Sequence, residues 1–292
     1  MKTKHFIPLS YDLMFKKVFG DSEKIERLEL LLSIYFNIPI ELLRGNVVII
    51  NNEQNVKKEN DKRKSVDILL KVELVTGKER INIEVNRSRL REIVVERNIL
   101  YAANIFSRGL KKGDSYDLIE PVIQINFDVI DVSTNNKIID KYYFQNDEKQ
   151  ILTKKLQIHH INIERCKKIW YDEDVRKYTE EEQQIIKLGS LLGASSQEEF
   201  NLFLEEMDME KEIKEDIRNS VEEYNSDSEL WIPFDKETDE ELIRNTEISV
   251  AKREGIKQRN IEVAKSLLTQ GVDINIIMNA TGLSEEEIRL LN

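Results

Sequence analysis

Apolar positions along the chain recur with two different periods. From residue 65 to 74, Val66, Ile68, Leu70, Val72 and Leu74 alternate with a set containing Asp67, Lys71 and Glu73. That period of two predicts a half-buried strand. Thr76-Gly77 interrupts the alternation, which resumes from 80 to 86 with Ile81, Ile83 and Val85 on one face and Asn82, Glu84 and Asn86 on the other. Two such runs around a short turn predict a β-hairpin. Upstream, Ser10 is placed to cap a short helix through Val18, with Leu13, Met14 and Val18 as its apolar stripe. A second helix is predicted over 23–36, ended by Asn37-Ile38-Pro39, with a strand at 47–50. Residues 87–112 carry a helical period through Ile93, Arg97, Leu100, Tyr101, Ile105 and Arg108, with Gly113 as the C-terminal cap. After Pro121 the run VIQINFDVI is apolar enough for a central strand, and further strands are predicted at 141–144 and 157–163. The order helix, strand, strand, helix, strand defines a mixed α/β domain.

From Thr179 onward the pattern turns helical and acidic, over 180–193 and 197–224. A loop around Trp231 and Pro233 is predicted to follow. The tail reads as helix, Gly271 turn, short helix, Gly282 turn and a final helix capped by Ser284 with Glu287 three residues on. The expected division is an α/β domain over 1–175 and an acidic helical region over 176–292.

Charge sharpens this division. Of 292 residues, the net charge is −11, which taken alone argues against nucleic acid. Residues 1–130 hold 22 Lys/Arg and 19 Asp/Glu, whereas 131–292 hold 22 and 36. Eleven basic residues, among them Lys64, Arg87, Arg89 and Arg91, lie between 55 and 91. A basic neighbourhood can hold a polyanion locally, although a solvated charged face is the plain alternative. The only cysteine, Cys166, can form neither an intrachain disulfide nor a thiolate metal site. No apolar run reaches the ~20 residues that span a bilayer, and the first residues lack the apolar core of a signal peptide. A cytoplasmic protein with no membrane partner is expected.

The hairpin carries the candidate chemistry. With Thr76-Gly77 as a two-residue loop, paired residue numbers sum to 153, setting Asp67 opposite Asn86 and diagonal to Glu84. A longer loop summing to 151 sets Asp67 directly opposite Glu84. Both registers match apolar with apolar, and any even sum would mismatch the faces. Two carboxylates on one face repel unless a proton or a cation lies between them. Mg²⁺ suits such a pair, with the Val85 main-chain carbonyl as a third oxygen. Such an ion polarises a phosphoryl oxygen and activates a bound water. The plain alternative is a pair of exposed strand residues, with Glu84 bound to a nearby lysine.

Asp67 followed by Glu84-Val85-Asn86 resembles the PD-(D/E)XK nuclease superfamily, in which an Asp and a (D/E)-x-K triplet lie on adjacent strands of an αβββαβ core. More narrowly, the chain is similar to the Rpn-type, or "PD-(D/E)XK nuclease family transposase", group. PLSYDLMFKKVFG resembles that group's D-x-x-F-K opening through Asp12, Phe15 and Lys16, and KSVDILLKV resembles its strand with the first aspartate. Residues 97–127 resemble its R-x3-Y helix, through Arg97 and Tyr101, and the strand beyond. Residues 263–288 approximate its tail. The resemblance implies the αβββαβ fold with a helical C-terminal extension, and an Mg²⁺ (or Mn²⁺) site at Asp67, Glu84 and Val85. It also implies a catalytic set of Asp67, Glu84 and Asn86, and nucleic-acid contacts from Lys64, Arg87, Arg97 and Tyr101.

The third motif position departs from the group, which carries Lys or Gln where this chain has Asn86. An amide cannot act as a general base or supply charge, but it can orient a water or a phosphate oxygen. On that reading a lysine restored at position 86 should raise the activity of a weakened enzyme. His159-His160 sits on a predicted strand, so the rings point to opposite faces and make a poor metal pair. The final helix begins with Glu285, Glu286 and Glu287, and reads as a packing or partner-binding helix more than as a DNA-reading one. The expected function is a DNA endonuclease, with RNA left open as substrate, tied to recombination, mobile elements or phage defence. The acidic helical region is expected to serve a homodimer or a protein partner. The alternatives are a weakened or inactive relative that binds nucleic acid or protein, and a helix-turn-helix regulator.

Overall fold

The computed structural model describes residues 6–50, 68–74, 77–88, 90–110 and 112–291. They cluster into two compact units, Met1–Phe234 and Asp235–Asn292, and the expected division after residue 175 falls inside the first.

Helix α1 (Asp12–Phe19) starts at Tyr11 without a side-chain cap. Ser10 is not the cap that the sequence suggested; it is buried, and its N–H donates to the Leu192 carbonyl. The buried stripe of α1 is Met14, Phe15, Val18 and Phe19, whereas Leu13 is exposed. Helix α2 (Ile25–Phe36) ends at Asn37 in the left-handed region, φ 51°. Asparagine tolerates that conformation better than most side chains, and Pro39 follows as a stop.

A six-stranded mixed sheet has the order β1-β2-β3-β4-β6-β5. Its strands are β1 (Val47–Ile49), β2 (Ile68–Leu74), β3 (Gly77–Asn86), β4 (Val122–Asp128), β5 (Ile139–Gln145) and β6 (Ile151–Asn162). The β2–β3 ladder pairs Ile68 with Ile83 and Glu73 with Lys78, so the register is the one summing to 151. Gly77 closes the ladder at φ +134°, open to glycine and strained for other residues. From β3 the chain crosses through α3 (Arg91–Ser107) to β4, parallel to β3; β6 is parallel to β4 and β5 antiparallel to β6. From α2 to β4 this is the αβββαβ order, an α/β fold consistent with the PD-(D/E)XK core.

One face of the sheet is largely apolar. Ile81, Ile83 and Val85 of β3, Ile123, Ile125 and Phe127 of β4, and Ile161 of β6 join α1 and α2 in the main core. The same core takes in α4 (Ile163–Asp172), α5 (Glu180–Leu192), α6 (Gln197–Glu205) and α7 (Lys211–Ser226). The single acidic helix expected over 197–224 is therefore two. Helix α5 opens with a complete capping box between Thr179 and Glu182, which satisfies two otherwise orphaned donors.

Helix α3 covers the other face. It buries Val94, Asn98, Ala102 and Ile105; of the predicted stripe, Ile105 is buried, Arg97 and Tyr101 are half-buried, and Ile93 and Leu100 are exposed. The reason lies underneath. Apolar packing there is confined to a small cluster of Leu69, Ile105 and Val122, and the rest of that face is polar, so the helix need not present its most apolar side. Its C-terminal cap is Arg108, five residues before the predicted Gly113.

Trp231 and Pro233 lie within α8 (Ser228–Thr269) and not in the predicted loop. In the second unit α9 (Ile274–Thr281) and α10 (Glu285–Arg289) close a small core of Ala264, Ile277, Leu283 and Ile288. Ser284 and Glu287 form the expected capping box. No described helix is long and apolar enough to cross a membrane.

Candidate active site

Asn82, Glu84 and Asn86 point to the face under α3 and are 0%, 3% and 1% exposed. Glu84 is thus not an exposed strand residue, the plain alternative above. Parallel pairing sets each beside a polar residue of β4: Asn82 with Gln124, Glu84 with Asn126, Asn86 with Asp128. All three β4 partners are buried. Burying this many polar groups is costly unless they bond one another, and they do. Asn82 Nδ2 donates to Glu84 Oε1 at 2.9 Å and to Gln124 Oε1 at 2.7 Å. Gln124 Nε2 donates to Asn126 Oδ1 at 2.9 Å, and Asn126 Nδ2 to the His159 carbonyl at 2.9 Å.

A second group forms at the C-terminal ends of β3, β4 and β6. Asn86 Nδ2 donates to Asp128 Oδ1 at 2.7 Å. Asp128 Oδ2 lies 2.7 Å from His160 Nδ1, and an ionised carboxylate only accepts, so Nδ1 carries the hydrogen. From α3, Arg97 Nη2 donates to Asn86 Oδ1. Arg97 is half-buried, and its Nε has no partner among the described residues.

The candidate residues are brought together in part. Glu84, Asn86 and Arg97 converge, and Tyr101 follows Arg97 by one helical turn, half-buried. Val85 turns its side chain to the opposite, apolar core and pairs with Phe127. Arg87 does not join them: its guanidinium lies over the rings of Tyr11 and Phe234, 5.9 and 5.1 Å from their centroids. Asp67 and Lys64 lie outside the described residues, as does the expected approach of Asp67 to Glu84. The basic neighbourhood is partly neutralised, since Glu120 binds both Lys71 (3.1 Å) and Arg80 (2.6 Å), and Glu73 binds Lys78 (3.1 Å).

The sequence motifs left out Gln124, Asn126 and Asp128, and His160 entered only as half of a poor metal pair. Their signal was present, since VIQINFD alternates in polarity with the same phase as INIEVN. His159 and His160 do face opposite ways. His159 Nδ1 lies 2.7 Å from the Tyr35 hydroxyl, on the core side. Burial above all, then Lys141 and His160, push its pKa down to about 3.

Among the described residues, no three His, Cys, Asp or Glu side chains group as a metal site. The donors that are present, the Glu84 carboxylate beside amide and carboxylate oxygens, are hard ligands and fit a cation such as Mg²⁺ or Mn²⁺. Residues 9–233 match the family described as PD-(D/E)XK nuclease family transposase.

The chain belongs to that family.

Residues 257–292 match the C-terminal HTH domain of the Rpn/YhgA-like nuclease family. That span covers the end of α8 with α9 and α10, including the helix that begins with three glutamates. No curated protein matches, and no solved structure does. The segment Glu84-Val85-Asn86, expected to carry the (D/E)-x-K position, lies at the C-terminal end of β3.

Proposed function

We propose that this chain is a DNA endonuclease that hydrolyses phosphodiester bonds with Mg²⁺ or Mn²⁺. Asp67, Glu84 and the Val85 carbonyl would hold the ion. When bound, it would polarise a phosphoryl oxygen and lower the pKa of a water ligand. Asn86 takes the third motif position. Arg97 and Tyr101, with Lys64, are the proposed contacts to the nucleic acid. The observation that carries this reading is the buried Glu84 carboxylate, held by Asn82 within a bonded polar face and two residues from an amide that binds a half-buried arginine. A fold gains no stability from a buried carboxylate that a well-packed apolar residue would not provide, which favours a functional reason for its presence. The C-terminal HTH match adds a module of a class that binds DNA, and movement of mobile elements or defence against phage is the proposed setting.

The test is supercoiled plasmid, and separately duplex RNA, incubated with purified protein and Mg²⁺ or Mn²⁺. Nicking or linearisation that disappears in Glu84→Gln and in Asp67→Ala is the expected result; DNA cleavage that persists in both would refute the site. One observation favours a second reading, a binding module without cleavage. Asn86 is engaged at both ends of its amide and offers no base and no charge. DNA binding with no cleavage under any divalent ion would select it.

A further inference from the structure

We infer that Arg97 is the catalytic cation of this site and that Asn86, Asp128 and His160 are the positioning residues that aim it. The inference rests on the nuclease reading and assigns the charge in that site to α3. It also gives a role to two β-strand residues, Asp128 and His160, that no motif marks.

The orientation of one amide fixes the arrangement. Asp128 is 1% exposed and can only accept, from His160 Nδ1 on Oδ2 and from Asn86 on Oδ1. Asn86 must therefore turn its NH₂ toward Asp128, which leaves its oxygen as the acceptor for Arg97. The flipped amide would set oxygen against carboxylate and NH₂ against guanidinium, losing both bonds. The order of donors is thus forced from His160 outward, and it ends in a fixed guanidinium. An ammonium at position 86 could not accept that bond.

The guanidinium has donors to spare. Of its five N–H groups, one is used on Asn86, and Nε is buried without a partner among the described residues. Beside it on α3, Asn98 is 0% exposed, and neither its Oδ1 nor its Nδ2 has a partner among the described residues. Buried polar atoms left unmatched in a native fold call for an explanation, and here two adjacent residues leave them under one helix. Arg97 is also half-exposed, so an anionic oxygen can reach it. Glu84 sits one same-face step from Asn86, about 6–7 Å along the strand. That spacing suits a phosphodiester with one oxygen toward the Glu84 end and another on Arg97.

Hydrolysis forms a P–O bond to a water oxygen and breaks the ester P–O bond. One water proton ends on the leaving hydroxyl, and the other is released to solvent. Arg97 moves no proton in this scheme. It stabilises the negative charge that gathers on the non-bridging phosphoryl oxygens, as preorganised donors do.

Cleavage of a short duplex under Mg²⁺ or Mn²⁺ tests the assignment, with kcat and KM measured separately and thermal melts run on each variant. Arg97→Ala should lower kcat by about 100-fold or more, the scale for one preorganised donor, and guanidinium chloride at low concentration should restore part of it. Asp128→Asn and His160→Ala should lower kcat with little change in KM. His160→Asn, whose amide nitrogen can stand where Nδ1 does, should recover much of the loss. Wild-type cleavage that vanishes in Glu84→Gln but survives in Arg97→Ala overturns the inference and leaves the nuclease reading intact. Loss in Arg97→Ala with no guanidinium rescue, or losses that track melting temperature, also overturns it. A wild-type chain that cleaves nothing removes both.

Discussion

Arg27 holds the first unit together, and its removal has a calculable cost. It lies on α2, 0% exposed. Its Nε donates to Asp216 Oδ2 at 2.6 Å, Nη1 to the Val18 carbonyl at 3.0 Å, and Nη2 to Ser220 Oγ at 2.7 Å and the Asp216 carbonyl at 3.2 Å. One side chain therefore ties α1 and α2 to α7. Arg27→Met keeps length and removes every donor. Breaking one partner of a buried pair costs about 3–5 kcal/mol. Here the figure is reduced, because the Asp216 side chain is 33% exposed and keeps Lys24 at 2.7 Å, so its charge is not stranded; about 2–4 kcal/mol is expected. Set against the 5–15 kcal/mol typical of a domain, that is a large share. Burial pushes the Asp216 carboxyl up, but Lys24 and Arg27 more than offset it and hold it below the usual range. The clamp's contribution is therefore present above pH 4 and is lost as pH falls through that lowered value. Urea titration followed by Trp170, which packs edge-on against Phe203 of α6 at 5.3 Å, reads the unit directly. A cycle with Asp216→Asn isolates the pair. A loss below about 1 kcal/mol, or strict additivity in the cycle, would refute the clamp.

Three further outcomes are expected. Asn86→Lys should cleave more slowly than the unaltered chain, because lysine offers Arg97 no acceptor and sets a second cation beside it; a faster variant would favour the reading from motif alone. His159 is held neutral with a pKa of about 3 against an ordinary 6.5, so the unfolded chain takes up a proton that the fold refuses. Stability is unaffected above pH 6.5 and should fall by about 2 kcal/mol between 6.5 and 5; His159→Gln should flatten that dependence, and an unchanged slope in urea midpoints would remove His159 as its source. In α5, a Cβ added at Gly189 would stand 2.6 Å from Cys166 Sγ. Gly189→Ala should therefore destabilise by about 1–3 kcal/mol despite the better helix former, with partial recovery in Cys166→Ala; a melting temperature at or above that of the unaltered chain would contradict the packing.

The strands, the helices around them and the shared face of Asn82, Glu84 and Asn86 were legible because period and turn chemistry are local properties. Alternation alone limited the hairpin to odd register sums, since an even sum would set the apolar face of one strand beside the polar face of the other. It could not choose between 151 and 153. That depends on where the turn closes, at Gly77, and on the fit of both strands to the layers around them. The polar continuation onto Gln124, Asn126 and Asp128 was written in the sequence with the right phase, but its meaning needed the parallel pairing of β3 with β4, about 40 residues apart. Hydrophobic periodicity placed the inner side of α3 only in part, through Arg97, Tyr101 and Ile105 and not Ile93 or Leu100, because the surface beneath that helix is polar and no local signal reports the character of a facing layer. Segment 180–226 looked like a separate acidic region because charge on exposed helix faces dominates its composition. Its few apolar positions decide the packing, and they join the same core as α1 and α2. Tertiary structure alone brought Arg97 to Asn86 and Asp128 to His160. Side-chain hydrogen bonds between distant elements have no period, and they exist only once packing has fixed both partners.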